Sequence, residues 1–208
     1  MKSFAFGPFY GMVDSAARQP PVELARLLLE GGARVIQLRL KEASARDQFV
    51  AAVAIAELCH KSGALLLVND RPDIALLAGA DGVHLGQEDV PLRAARRLLG
   101  TRAIIGVSTH NLEQAVKAES EGADYIGFGP MYPGGLKRTV TPVGLESLRD
   151  VRAAVKLPIV AIGAIRQANV REVLNAGANS VAIISDVIQA ENIPAKVRAV
   201  IAAAERRS

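Results

Sequence analysis

The chain has 208 residues, half of them hydrophobic and 22% charged, enough to bury one large core and near the lower limit for a complete (β/α)8 barrel. Lys and Arg outnumber Asp and Glu by 25 to 21, a mild excess made partly by helix-surface runs such as Arg93, Arg96 and Arg97. With aromatic residues at only 4%, that argues against a nucleic-acid partner that would need a base-stacking platform.

One cysteine, Cys59, rules out an intramolecular disulfide and suits a reducing compartment. It falls in a helical run, Phe49 to His60, and reads as core filler rather than a nucleophile. No apolar run is long enough to span a membrane, and residues 1–20 lack a charged start, apolar centre and small-residue cleavage site. The expectation is a cytoplasmic protein with no membrane partner.

Short apolar, β-branched runs alternate with longer amphipathic ones along the chain. The predicted strands are Phe9–Val13, Val35–Leu40, Ala64–Val68, Gly82–Leu85, Ala103–Val107, Tyr125–Phe128, Ile159–Ile162 and Ser180–Ile184. Helices are predicted near 21–31, 44–62, 72–79, 91–99, 111–121, 144–155, 168–176 and 194–206. Such alternation implies parallel strands joined by right-handed crossovers. Eight units point to an α/β fold closed as a single-domain TIM (β/α)8 barrel over residues 1–208. An open doubly wound sheet would carry a glycine-rich nucleotide loop after its first strand, and none follows Asp14. The repeated turns "EGGARV", "LAGADGV", "EGADYI" and "NAGANSV" each end a helix on glycine before a strand begins, and read as architecture.

In such barrels chemistry collects where strands end. Those positions are polar or glycine here: Asp14; Gln37, Arg39 and Lys41; Asn69 and Asp70; His84, Gln87 and Asp89; Ser108 and His110; Gly129 to Lys137; Gly163; Ser185. In "IQLRLK" the strand period puts Gln37, Arg39 and Lys41 on one face, with Leu38 and Leu40 on the other against the helices. Two inward cations need counter-charge, and a phosphorylated small molecule supplies it. A buried salt bridge such as Arg39 to Asp70 is the competing reading, but two cations would need two such partners.

Asp70 in "VNDRPD" and Asp89 in "HLGQED" end neighbouring strands and would converge on one hard cation such as Mg²⁺. Each also lies just before a helix start with proline nearby, so each alone reads better as an N-cap. Their pairing beside Arg39 and Lys41 shifts the balance to metal. Ser108 and His110 suggest a nucleophile and base, but Ser108 more simply donates to a ligand, while Thr109 or Asn111 caps the next helix. His84 reads as a core or ligand-lining residue and His60 as a surface one. The loop "GPMYPGGLKRTVTPVG" is long for this chain; a lid over an anionic substrate and a variable surface loop fit it equally. "AIGAI" and "IISDV" fit a phosphate site made from backbone N–H groups.

The ordered motifs "QLRLK", "VNDR", "GADGVHLGQED", "IIGVSTHN", "EGADYIGFGP" and "AGANSVAIIS" closely resemble the thiamine phosphate synthase family over essentially the whole chain. The resemblance implies a transferase that couples hydroxymethylpyrimidine diphosphate to a thiazole phosphate and releases pyrophosphate, with Mg²⁺ as cofactor. It implies that the 37–41 run (Gln37, Leu38, Arg39, Leu40 and Lys41), Asn69, Ser108 and Lys137 hold the pyrimidine diphosphate, with Arg39, Lys41, Ser108 and Lys137 acting in catalysis. Asp70 and Asp89 would hold the metal. Gly134, Gly135 and Leu136 in the lid, with backbone at Ala164, Ile184 and Ser185, would meet the thiazole phosphate. The chain departs from the family where Pro133-Gly134-Gly135-Leu136-Lys137 replaces Pro-Thr-x-Thr-Lys and Gly163-Ala164 replaces a paired glycine. Leu40 stands where an acidic residue is usual, and Val13 replaces a threonine. Two further readings stay open, a related thiazole tautomerase with His110 after strand 5 and a non-catalytic barrel that senses a phosphorylated metabolite. The sequence also leaves open whether the chain forms a homo-oligomer.

Overall fold

The computed structural model describes residues 6–134 and 141–205. Eight parallel strands pair in sequence order and close into a barrel: β1 (Phe9–Asp14), β2 (Val35–Arg39), β3 (Leu65–Asn69), β4 (Gly82–Leu85), β5 (Ile104–Thr109), β6 (Tyr125–Phe128), β7 (Ile159–Ile162) and β8 (Ser180–Ala182). Closure comes from β1 against β8, with Phe9 opposite Val181 and Tyr10 opposite Ala182.

Helices α1 (Pro21–Glu30), α2 (Ala45–Lys61), α3 (Pro72–Leu77), α4 (Leu92–Leu99), α5 (Leu112–Ser120), α6 (Gly144–Ala154), α7 (Val170–Asn175), α8 (Ser185–Ile188) and α9 (Ile193–Glu205) surround it. Their starts follow local chemistry. Pro21 and Pro72 open α1 and α3 where a missing N–H costs nothing. Ser44 caps α2 by accepting from the Asp47 amide at 3.1 Å, and Asn111 caps α5 by accepting from Gln114 at 2.9 Å. Among the described residues no helix is long and apolar enough to cross a membrane.

Strand alternation divides the core in two. Phe9, Val13, Ile36, Leu38 and Leu66 face outward and pack with Leu24, Leu28 and Ile55 of the helices. Tyr10, Met12, Val35, Leu67, Ile104 and Tyr125 fill the barrel interior. Each fully buried aliphatic side chain contributes about 2 kcal/mol, so the thicker outer layer carries most of the stability.

Three expectations need correction. The eighth strand stops at Ala182 rather than Ile184, because the chain turns at Ile184 (φ −95°, ψ −80°) into α8. That four-residue helix is too short to leave a periodic signal. The fifth strand runs on to Thr109, which places Ser108 within it. Arg96 is not a solvated surface charge: its guanidinium donates to the Ala103 carbonyl and to Asp124 Oδ2, each at 2.6 Å.

The turn motifs keep their architectural reading, since Gly32, Gly79, Gly122 and Gly177 all take positive φ. Three of them add a clamp. Asp81 accepts the Leu66 amide at 2.8 Å, Asp124 the Ile105 amide at 2.8 Å, and Asn179 the Ile159 amide at 2.9 Å. A polar residue just before β4, β6 and β8 thus holds the start of the odd-numbered strand before it.

Candidate active site

The strand C-termini bring the expected charges to one mouth. Arg39 closes β2 and donates to Asp14 Oδ2, at the end of β1, at 2.6 Å. Lys41 Nζ lies 3.3 Å from Asp70 Oδ2, just past β3. Each cation therefore has its own carboxylate, so the salt-bridge alternative is realised, with Asp14 rather than Asp70 as the partner of Arg39. Both pairs are partly open: the Arg39 side chain is 26% exposed and Lys41 47%. Leu38 and Leu40 pack in the outer layer, so whatever they offer a ligand is backbone.

Asp70 and Asp89 do meet. Their carboxylates lie within hydrogen-bond reach, and the Asp70 pKa is raised by burial and then by Asp89, with Lys41 pulling the other way. The N-cap reading fails for both. Arg71 and Pro91 occupy the cap positions of α3 and α4, and neither helix has a side-chain cap. Asp89 instead accepts the Gly86 amide at 2.6 Å, folding its own loop back toward Asp70. Asp70 sits at φ 62°, a left-handed conformation that aspartate tolerates better than most residues. Asn69 ends β3 one residue before it. Among the described residues no group of three or more His, Cys, Asp or Glu is arranged to hold a metal. A cation here would take two protein carboxylates and draw its other oxygens from ligand and water, which suits Mg²⁺.

Ser108 does not pair with His110. His110 Nδ1 bonds the Gly129 carbonyl at 2.6 Å, tying the end of β5 to the turn after β6. Ser108 Oγ lies 2.9 Å from His84 Nε2. His84 Nδ1 lies 2.7 Å from the Tyr125 hydroxyl, which lies 2.8 Å from that of Tyr10, which accepts from Gln37 Nε2 at 2.9 Å. A continuous polar chain thus crosses the barrel interior from β2 to β5. Burial pushes His84 down to about 4 and holds both tyrosines far above the usual phenol range. Gln37 belongs to this chain, with only 4% of its surface exposed. Glycines make the room: a Cβ at Gly106 would meet the Tyr125 ring at 2.1 Å, and one at Gly127 would meet His84 at 3.0 Å. Sequence reading missed the roles of Tyr10 and Tyr125. The available signal was their inward strand parity, matched with that of Gln37, His84 and Ser108.

On the opposite side, Gly163 and Ala164 follow β7 at φ 104° and 51°, and Ile184 and Ser185 lead into α8. Met131 N–H donates to Ile162 O at 2.9 Å and Tyr132 N–H to Gly163 O at 3.2 Å, while the Tyr132 hydroxyl bonds Glu172 of α7. The Val143 amide meets the Pro130 carbonyl at 2.8 Å, so the long loop leaves and returns at one place. Gly134 lies on its outgoing arm. Gly135, Leu136 and Lys137 lie outside the described residues. Cys59 is buried against the outer layer with its thiol pushed up to about 12 by burial, as befits core filler.

A closed barrel with two cations and three carboxylates at its mouth does not by itself name a reaction, and comparison with known proteins does. The model of the family described as thiamine monophosphate synthase matches residues 9–187. The chain belongs to that family. Membership makes it an enzyme, a transferase of thiamine biosynthesis. The thiamine-phosphate synthase of Chlorobium phaeovibrioides is 51% identical over 169 residues, 81% of each chain. That of Methanocella arvoryzae is 50% identical over 177 residues, 85% of this chain and 84% of the relative. A solved thiamine phosphate pyrophosphorylase from Pyrococcus furiosus superposes with a TM-score of 0.89 at 39% identity, covering 95% of both chains.

Proposed function

We propose that this member of the family couples hydroxymethylpyrimidine diphosphate to a thiazole phosphate, forming thiamine phosphate and pyrophosphate in a Mg²⁺-dependent reaction in the cytoplasm. The observation that carries the reading is the meeting of Asp70 and Asp89 beside Arg39 and Lys41. Burial, and then the neighbouring Asp89 carboxylate, raise the cost of ionising Asp70. Asp70 and Asp89 would hold a divalent cation, whose charge would offset theirs, and the half-exposed Lys41 ammonium beside them would be available to a phosphate oxygen.

Atoms balance without a general acid or base. The bond from the pyrimidine methylene carbon to the diphosphate oxygen breaks, with its electron pair leaving on pyrophosphate. The thiazole nitrogen lone pair then forms the new carbon–nitrogen bond. Mg²⁺, when bound, would neutralise charge building on the leaving group. The chain's own residues bind and orient: Arg39 and Lys41 grip the diphosphate, with Asn69 and Ser108 supporting the pyrimidine end and Lys137 adding charge from the loop. Backbone at Ala164, Ile184 and Ser185 would receive the thiazole phosphate, with Gly134, Gly135 and Leu136 of the loop as further substrate contacts. Positioning and leaving-group stabilisation are the main sources of rate.

The test is a thiamine phosphate assay with purified protein, both substrates and Mg²⁺, repeated with EDTA. Metal-dependent product is expected. Asp89→Asn keeps an acceptor for the Gly86 amide and removes a metal ligand, so turnover should fall at least a hundredfold with an unchanged thermal midpoint. Absence of product, with diphosphate binding retained, would replace the synthase by the sensor reading.

A further inference from the structure

The interior polar chain has a direction, and that direction sets what Ser108 offers a ligand. Gln37 Nε2 is only a donor, so Tyr10 accepts from it, and the buried Tyr10 proton finds its acceptor in the Tyr125 hydroxyl, 2.8 Å away. Tyr125 then spends its single proton on His84 Nδ1 at 2.7 Å. A neutral His84 must carry its proton on Nε2 and donate it to Ser108 Oγ at 2.9 Å. Ser108 has accepted there, so its own proton turns toward the mouth. Its carbonyl is fixed separately by Gln87 Nε2 at 2.5 Å. We infer that Tyr10, Tyr125 and His84 are positioning residues whose hydrogen bonds turn the Ser108 proton outward, to be donated to an acceptor atom of the bound pyrimidine diphosphate. The substrate named here rests on the proposed function; the direction of the chain does not.

The same direction is incompatible with a serine nucleophile. A base for Ser108 would need a free lone pair on His84 Nε2, whereas Tyr125 drives the proton onto that atom. The arrangement looks like a Ser–His pair and works in the opposite sense. With one lone pair taken by His84, Ser108 offers its proton to the mouth, which favours phosphate oxygens and unprotonated ring nitrogens.

Two measurements test this. Nitrogen-15 NMR of the ligand-free protein should show the His84 proton on Nε2, and Tyr125→Phe should abolish that preference. Tyr10→Phe, which removes the link that sets the direction, should weaken it and serves if the first variant does not fold. In turnover, Ser108→Ala should raise KM for the pyrimidine diphosphate about tenfold, the equivalent of one hydrogen bond. Tyr125→Phe should raise it severalfold alone and not at all in the Ser108→Ala background, because the chain acts only through Ser108. A proton on Nδ1 in the wild type, or additive effects in the double variant, would overturn the inference. If the wild type makes no thiamine phosphate, the proposed function falls and the tautomer in the free protein still decides the relay.

Discussion

Ala164 carries a methyl group where the backbone has turned left-handed, at φ 51°, directly after Gly163 at φ 104°. Asp70 and Ala164 are the non-glycine residues with positive φ among those described, and both sit on the mouth of the barrel. Asp70 has a chemical reason to be there; Ala164 has none in its side chain. Strain of this kind costs about 1–2 kcal/mol for an L residue. Ala164→Gly is therefore expected to raise stability by about 1 kcal/mol in chemical denaturation, less the chain entropy glycine adds to the unfolded state. Because glycine also clears the methyl from the site proposed for the thiazole phosphate, its KM should fall. A lower stability would mean that neighbours hold Ala164 in place by contacts worth more than the strain. The carboxylate pair was legible in sequence because both residues follow apolar strands and both have the right chemistry. The interior relay was not, since Tyr10, His84 and Tyr125 each read singly as core, and only the barrel's closure sets them in a line.

Strand and helix positions were legible almost throughout, and the errors fall where local pattern stops informing. Ile183 and Ile184 extend an apolar run that hydropathy cannot separate from β8, although the chain has already turned toward α8. The glycine turns were readable as helix ends, but the acid after them was not readable as a clamp, because its acceptor role depends on a neighbouring strand. At Asp124 the clamp has two parts, the Ile105 amide at 2.8 Å and the Arg96 guanidinium at 2.6 Å. Asp124→Ala leaves a part-buried amide and a part-buried cation without that acceptor. Such a loss costs about 2 kcal/mol, and it lies at the end of the barrel remote from the charged mouth. The expected result in urea unfolding is an unfolding free energy lowered by that amount, with KM values unchanged. A selective loss of activity at full stability would show that the lower rim communicates with the site.

The whole barrel is built around a histidine that must stay neutral. His84 is buried, and that burial lowers its folded pKa to about 4 from the unfolded value near 6.5. Between those values the unfolded chain binds a proton that the folded chain refuses, so stability falls as pH drops. The contribution is complete above pH 6.5 and fades as pH approaches 4. Each pH unit in that window corresponds to about 1.4 kcal/mol, which predicts a loss of about 2 kcal/mol between pH 7 and pH 5 from this one group. Most carboxylates remain ionised at pH 5, so they contribute little to the same interval. His84→Gln should be less stable than the wild type at pH 7, having lost the link to Tyr125, yet nearly flat in stability from pH 7 to pH 5. The two curves should therefore converge on acidification in equilibrium urea unfolding. Parallel curves would place the acid sensitivity outside the interior relay and return His84 to the role of an ordinary packing residue.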